Sequence, residues 1–572
     1  MSADGSERAP LSAARLADST AASSRYKWVA LSNTTIAILL ATIDSSIMLI
    51  AMPDIFHGIG LNPLEPRNTL YLLWMILGYQ VVTSVLVVSL GRLGDMFGRV
   101  RMYNLGFIVY TVASLLLTLD PYTGQAGALW LVIGRIAQGI GAAFLVANSG
   151  AILTDAFPAE QRGLALGINN VAGISGNFLG LILGGVLAAI HWRLIFLVSV
   201  PFGLLGTIWS YLKLREIGHR QPTSMDWGGN ITFATGLTLI MIGITCGIQP
   251  AGGHDMGWSS MPVLSLLAAG VASMVAFTVI EGRARAPMFP LPLFRIRAFT
   301  FGTLSTFLSA IGRGGLMFML IIWLQGVWLP LHGYSFEETP LWAGIFMLPL
   351  SIGFLIAGPI SGSLSDRLGQ RYFATAGMIG AAASLIFLML LPIDFNYVAF
   401  AAILLLFGVS MGAFAAPNRA AVMNSLPARD RGAGGGMNAT FQNSAQVLSI
   451  GIFFTLMIVG LSTSLSTTLR QGLMQHGVSA SVADHVGSLP PVSVLFAAFL
   501  GYNPIQTLLG PGVLAHLSPA DRAALIGHSF FPQLIAAPFR AGLTAAFTFA
   551  TVACLIAAAA SWWRGSRYVH DD

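Results

Sequence analysis

Asp44, Arg135, Gln138 and Arg313 stand inside long apolar runs of a chain in which only 9% of residues are charged. An ionisable side chain at bilayer depth costs at least about 2.5 to 3.5 kcal/mol, so such residues mark ion or proton paths unless a structural partner explains them. A carboxyl at Asp44 can take up a proton from one face and release it to the other, or it can cap or pair structurally. Arg135, three residues before Gln138 and on a stripe with Gly139 and Ala143, can bias a nearby carboxylate or hydrogen-bond backbone carbonyls of another helix. Arg313, between glycines in SAIGRGGLMF, has no acid near it in sequence. It would welcome an anionic or zwitterionic molecule, or a carboxylate from another helix, and would oppose a cation. Gln325, Asn418 beside Arg419, Gln442 and Asn443 are further candidates for a cavity wall, and ordinary hydrogen bonding between helices explains each nearly as well. The sequence contains no phosphate-cradling glycine loop, HExxH or nucleophile with a base, so no enzyme, cofactor or metal site is expected.

The elements that must hold these residues are membrane helices. Of 572 residues 55% are hydrophobic, and the mean hydropathy is +0.75, far from the roughly 25% charged content of soluble domains. Cys246 and Cys554 both lie in apolar segments and read as packing residues. A net charge of +6 reports orientation in such a chain, and nucleic acid is not an expected partner. A helix needs roughly 20 apolar residues to cross the bilayer. Fourteen runs qualify, at 28–51, 70–90, 103–119, 129–153, 163–188, 192–213, 227–248, 261–281, 298–325, 341–364, 372–391, 396–424, 434–462 and 541–563. Basic residues crowd the loops of one side, Arg92, Arg99, Arg101, Lys213, Arg215, Arg283 and Arg295 among them. The positive-inside rule therefore puts both termini in the cytoplasm. The segment 492–514 is apolar but broken by Asn503, Pro504, Gly510 and Pro511; it is read as an external loop or re-entrant hairpin.

One pattern occurs twice. GRLGDMFGRVR (91–101) and GSLSDRLGQRYF (362–373) fall between spans 2 and 3 and between spans 10 and 11. A second echo links LTDAFPAEQRGLALG (153–167) with MNSLPARDRGAGGGMN (423–438). Two matches in one register predict an all-α membrane fold of fourteen helices in a 6+2+6 arrangement, the plan of two-halved transporters with a mid-membrane site. The expected division is a disordered cytoplasmic tail at 1–27, a six-helix bundle at 28–213, a two-helix insertion at 214–297, a second bundle at 298–563 with an external loop at 463–540, and a tail at 564–572. Within the repeated loop, Gly91, Gly94 and Gly98 allow tight turning and close approach, and Asp95 can meet Arg99 and Arg101 or a helix N-terminus. In the second copy Asp366 holds the place of Asp95 and Arg367 follows it, the basic residues being spaced differently. The pattern reads as a gate latch that holds in one conformation.

These motifs resemble the major facilitator superfamily, in particular its fourteen-span drug:proton antiporters of the multidrug and quaternary-ammonium efflux type. GRLGDMFGRVRM matches the superfamily's loop motif, RIAQGIGAA (135–143) the fourth-helix motif and WRLIFLVSVPFG (192–203) the sixth-helix signature, while DSSIMLIAMPDI (44–55) is similar to the first-helix motif. The resemblance implies proton-coupled export of an amphipathic small molecule by a monomer in the cell membrane, among membrane lipids, with Asp44 and Arg135 tied to proton transfer. Departures are Ser46 and Leu49 in the first motif. In the antiporter motif GNFLGLILGG (176–185), Gly176, Gly180, Gly184 and Gly185 are kept, but Leu181 stands at the proline. That last change puts strict antiport in question. Export of a lipid or anionic metabolite is the alternative that Arg313 favours, and a non-transporting sensor or scaffold a remoter one.

Overall fold

The computed structural model describes residues 9–62, 64–158, 161–217, 225–284, 287–427, 431–500 and 503–565. Lipid offers no water to peptide groups, so the chain crosses as helices that satisfy their own backbone. Fourteen are long and apolar enough: spans 1 to 14 are Arg25–Ile59, Asn68–Phe97, Arg99–Thr118, Gly124–Ala156, Ala165–Ile190, Leu194–Lys213, Trp227–Ile248, Met261–Glu281, Arg297–Leu331, Thr339–Ser365, Gln370–Leu390, Tyr397–Asn424, Ala433–Ser462 and Phe530–Trp563. The even number brings both ends of the chain to one end of the bundle, called here the terminal end.

Spans 1 to 6 pack with one another, as do spans 9 to 14. Span 7 lies in the seam between them. Its Asn230 meets Ser89 of span 2, its Gln249 accepts from Thr69 Oγ1 at 3.0 Å, and its Ile244 rests on Gly451 of span 13. Span 8 packs on span 7 and leaves Leu264, Val271, Val275 and Val279 exposed where lipid would lie. The 6+2+6 plan holds.

Two boundaries differ from expectation. The segment read as a disordered tail is helical from Ala9 onward, in one helix that continues to Ile59; alanine, the strongest helix former, recurs through it. Residues 1–8 lie outside the described residues. The last helix starts at Phe530 rather than 541, with Pro538 inside it. At the end of span 8 Glu281 is buried and accepts the backbone N–H groups of Met288 and Phe289, both at 3.2 Å.

The segment between spans 13 and 14 forms short helices, and one of them enters the bundle. Pro491–Phe499 bends by 82° from Ala480–Gly487, and every residue in it is buried. Phe496 stacks on Phe454 of span 13 at 5.2 Å and Phe499 meets Phe318 of span 9 at 4.9 Å. A methyl on Gly326 of span 9 would come within 2.7 Å of the Ala498 carbonyl. The same helix touches span 2 of the first half. It is a re-entrant plug across the seam at the end opposite the termini. There too the halves touch directly, Gly344 on the Leu181 carbonyl and Gly185 on the backbone of Leu341.

Candidate functional site

Glycines set the distances around the buried charges. In span 4, a methyl on Gly139 would lie 2.8 Å from the Tyr79 carbonyl of span 2, and one on Gly141 would lie 2.6 Å from the Tyr110 nitrogen of span 3. In span 5, Gly176 and Gly184 would meet the Leu39 and Ile47 carbonyls of span 1 at 3.0 and 2.9 Å, and Gly180 would collide with Ile43. Span 4 is thereby set against spans 2 and 3, and span 1 against span 5. Span 5 itself runs as one helix from Ala165 to Ile190, with Leu181 fully buried.

This packing converges Asp44, Arg135 and Gln138. Asp44 is 0% and Arg135 1% exposed, and the two form an ion pair through Arg135 Nη1 and Asp44 Oδ2. The same Nη1 donates to Gln138 Oε1 at 2.6 Å, and Nε donates to the Met75 carbonyl at 3.2 Å. The guanidinium lies 4.4 Å from the Tyr79 ring centre. Gln138 Nε2 donates to Asp44 Oδ1 and to Ser114 Oγ, both at 2.9 Å. The carbonyl that Arg135 binds thus belongs to another helix, span 2. A buried pair needs its remaining donors and acceptors satisfied to offset desolvation, and here spans 1, 2, 3 and 4 each supply a group. Met75, Tyr79 and Ser114 were not legible as partners in sequence, since a carbonyl, a ring and one hydroxyl among many leave no pattern.

The first repeated loop forms a second network at the terminal end. Arg99 donates Nε to Asp95 Oδ1 at 2.9 Å and Nη1 to Asp155 Oδ1 at 2.6 Å. Gly98 has φ +112°, a backbone conformation that favours glycine, and it is the hinge at which span 2 ends and span 3 begins. Gly94 fits against Asn148 of span 4, and a methyl on Gly91 would lie 3.7 Å from Ala147. The exposed Glu216, past span 6, accepts the N–H groups of Arg99, Val100 and Arg101 at 2.8, 3.2 and 3.4 Å. This carboxylate at a helix N-terminus is favoured by both hydrogen bonding and the helix dipole. Asp155 and Glu216 were both missed in the sequence, which offered Asp95 only Arg99, Arg101 or a helix end. All these contacts lie within the first half, so the latch braces spans 2, 3 and 4 to one another. Replacing Glu216 with Gln should lower thermal stability by about 1 kcal/mol, a shift that differential scanning fluorimetry on the purified protein resolves.

A sequence profile described as Major Facilitator Superfamily matches residues 34–450. The chain belongs to the major facilitator superfamily. It is 27% identical over 481 residues to the riboflavin transporter RibZ of Clostridioides difficile, covering 83% of this chain and 97% of RibZ. It is 25% identical over 503 residues to the multidrug transporter protein MdtP of Bacillus subtilis, covering 86% and 85%. A crystal structure of a bacterial homologue of the human lysosomal transporter Spinster shares the fold, with TM-score 0.54 at 16% identity over 94% of this chain and 97% of that one. Fourteen spans and relatives named as multidrug transporters agree with the fourteen-span antiporter branch, and the chain is a multi-pass membrane transporter rather than an enzyme.

In this facilitator the second half holds the other polar candidates, and they do not converge on one wall. Asn418 is buried, donating to the Gly302 carbonyl at 3.0 Å and to Thr306 at 2.9 Å, and accepting from Arg564 at 2.7 Å. Gln325 is fully buried in a π-helical turn, Leu324–Trp328, with neither amide atom partnered. Gln442 and Asn443 are half-buried in span 13, Arg313 is half-buried in span 9 and Arg419 exposed in span 12. Among the described residues neither of these arginines has an ion-pair partner. Gly369 repeats the hinge of Gly98 with φ +102°. Arg367 is exposed, and the side chain of Asp366 lies outside those described.

Proposed function

We propose that this facilitator exports amphipathic small molecules in exchange for protons by alternating access, as a monomer in the cell membrane with both termini in the cytoplasm. The observation that carries the reading is the way Arg135 is anchored. Three of its partners do not titrate, namely the Met75 carbonyl, the Gln138 amide and the Tyr79 ring. When Asp44 takes a proton the ion pair is lost, yet the guanidinium keeps those partners. Protonation is therefore far less costly than stripping a lone buried pair, and Gln138 Nε2 still holds the neutral carboxyl. Asp44 is closed to water in this conformation, so proton exchange requires the halves to move. The sealed seam near Leu181, Gly344 and the Pro491–Phe499 plug fits a state closed at the end opposite the termini.

A second reading of the cargo rests on Arg313, a half-buried arginine of the second half with no carboxylate partner among the described residues. A buried or half-buried cation repels a cationic drug and favours an anionic or zwitterionic amphiphile. Proteoliposomes loaded with a panel of amphipathic cations, anions and lipids test both points. Movement that collapses with the pH gradient is the expected result, and equal movement without it would sink the exchange mechanism. A preference for permanent cations would remove the second reading of the cargo.

A further inference from the structure

The two halves end their third-helix turn in opposite electrostatic ways. In the alignment of GRLGDMFGRVR with GSLSDRLGQRY, Val100 corresponds to Arg371 and Arg101 to Tyr372. In the first half Val100 is buried in an apolar cluster with Leu214, the residue that closes span 6, and Glu216 caps the turn. In the second half the residue closing span 14 is Arg564, and Arg371 stacks on the Trp562 ring two residues before it. An apolar corner with an acidic cap has become a corner of two guanidinium groups. Among the described residues no side chain caps the helix that starts at Gln370.

Both arginines have donors to spare. Arg564 is 5% exposed, and while one terminal nitrogen donates to Asn418, its Nη2 is buried without a partner. Arg371 stacks on the Trp562 ring at 3.8 Å and leaves its Nε buried and unpartnered. No carboxylate among the described residues lies within ion-pair distance of either. Burial, and then the like charge of Arg371, push Arg564 down to about 10, so it stays charged while lacking a counter-charge. Orphaned charged donors in a protected place are costly. Around them Trp562, Trp563 and Tyr372 are 45%, 60% and 60% exposed, the aromatic composition of a membrane–water interface.

We infer that Arg371, Arg564 and the open N-terminus of span 11 bind a phosphate group, held there on the headgroup of an anionic lipid in the leaflet at the terminal end. A phosphate supplies acceptors for both orphaned donors and for the free N–H groups at Gln370–Tyr372, where the helix dipole favours it. The exposed aromatics would receive the glycerol and upper acyl region. Since Arg564 also bonds Asn418, and Asn418 bonds Gly302 and Thr306, an occupied site would tie spans 9, 11, 12 and 14 together.

The test uses the full chain, purified in detergent and delipidated, with thermal unfolding and native mass spectrometry as readouts. Phosphatidylglycerol should raise the melting temperature and be retained in the mass spectrum, whereas phosphatidylcholine and inorganic phosphate at equal concentration should not. The variant R371Q/R564Q should bind phosphatidylglycerol about twenty-five-fold more weakly, at roughly a factor of five for each basic group. R371Q alone keeps the Arg564 bond to Asn418 and so guards against a folding defect; it should lose about fivefold. Stabilisation by inorganic phosphate equal to that by the lipid would uphold the phosphate site and remove the lipid as its source. Equal lipid binding by the wild type and R371Q/R564Q, or no response of the wild type to any of the three, would overturn the inference.

Discussion

Replacing Asp44 with Asn should abolish transport driven by a pH gradient while leaving the protein folded. The amide is nearly isosteric with the carboxyl, and its single oxygen can still accept from Gln138 Nε2 while the bond from Arg135 is lost, so the bundle keeps its packing. What disappears is the ability to exchange a proton, together with the charge that pairs with Arg135. The guanidinium then depends on Met75, Gln138 and Tyr79, and stability should fall by no more than about 3 kcal/mol, the cost of weakening one charged hydrogen bond. In inside-out vesicles, gradient-driven accumulation of a fluorescent amphiphile should drop to that of empty vesicles. Size-exclusion chromatography should still give a monodisperse peak. Retained accumulation at the wild-type rate would remove Asp44 from the coupling mechanism.

Arg135→Gln should do the larger structural damage. It leaves the Asp44 carboxyl 0% exposed with no cation paired to it and only the Gln138 amide beside it. Removing one partner of a buried pair costs about 3 to 5 kcal/mol, because an uncompensated charge remains. The melting temperature should fall clearly further than for Asp44→Asn. The double variant D44N/R135Q removes both charges and should recover most of that loss, since replacing a buried pair as a unit is often near neutral. Transport should stay absent in all three proteins. A double variant no more stable than Arg135→Gln would mean that the two residues do not act as a pair.

How much of this could be read in the sequence depended on whether a feature leaves a local pattern. Fourteen apolar runs and a loop written twice gave the spans and the 6+2+6 plan, because crossing a bilayer imposes length and composition on each helix separately. Asp44 and Arg135 stood out as charges in apolar runs, and span 4 carried Gln138 on the same face. Their meeting, however, depends on Gly176, Gly180 and Gly184 receiving span 1 and on Gly139 and Gly141 receiving spans 2 and 3. No local pattern announces which helix a glycine faces. Pro491–Phe499 was hard for a related reason. Nine apolar residues fit a loop, a fragment of a span or a plug equally well, and only contacts with Phe318, Gly326 and Phe454 decide among them. Arg564 opens the segment read as a tail, but the turn after span 14 buries it against Asn418. The length of the helix at Ala9–Ile59 was missed because alanine and serine suit both a disordered tail and a helix.

The central claim is that cargo and protons exchange through Asp44. It is tested most directly by imposing a cargo gradient alone on proteoliposomes without a pH gradient and following the internal pH with a trapped dye. Outward-driven cargo should move protons the opposite way in the wild type, with no proton movement in Asp44→Asn. Cargo movement in the wild type without a pH change, or the same pH change in Asp44→Asn, would contradict it.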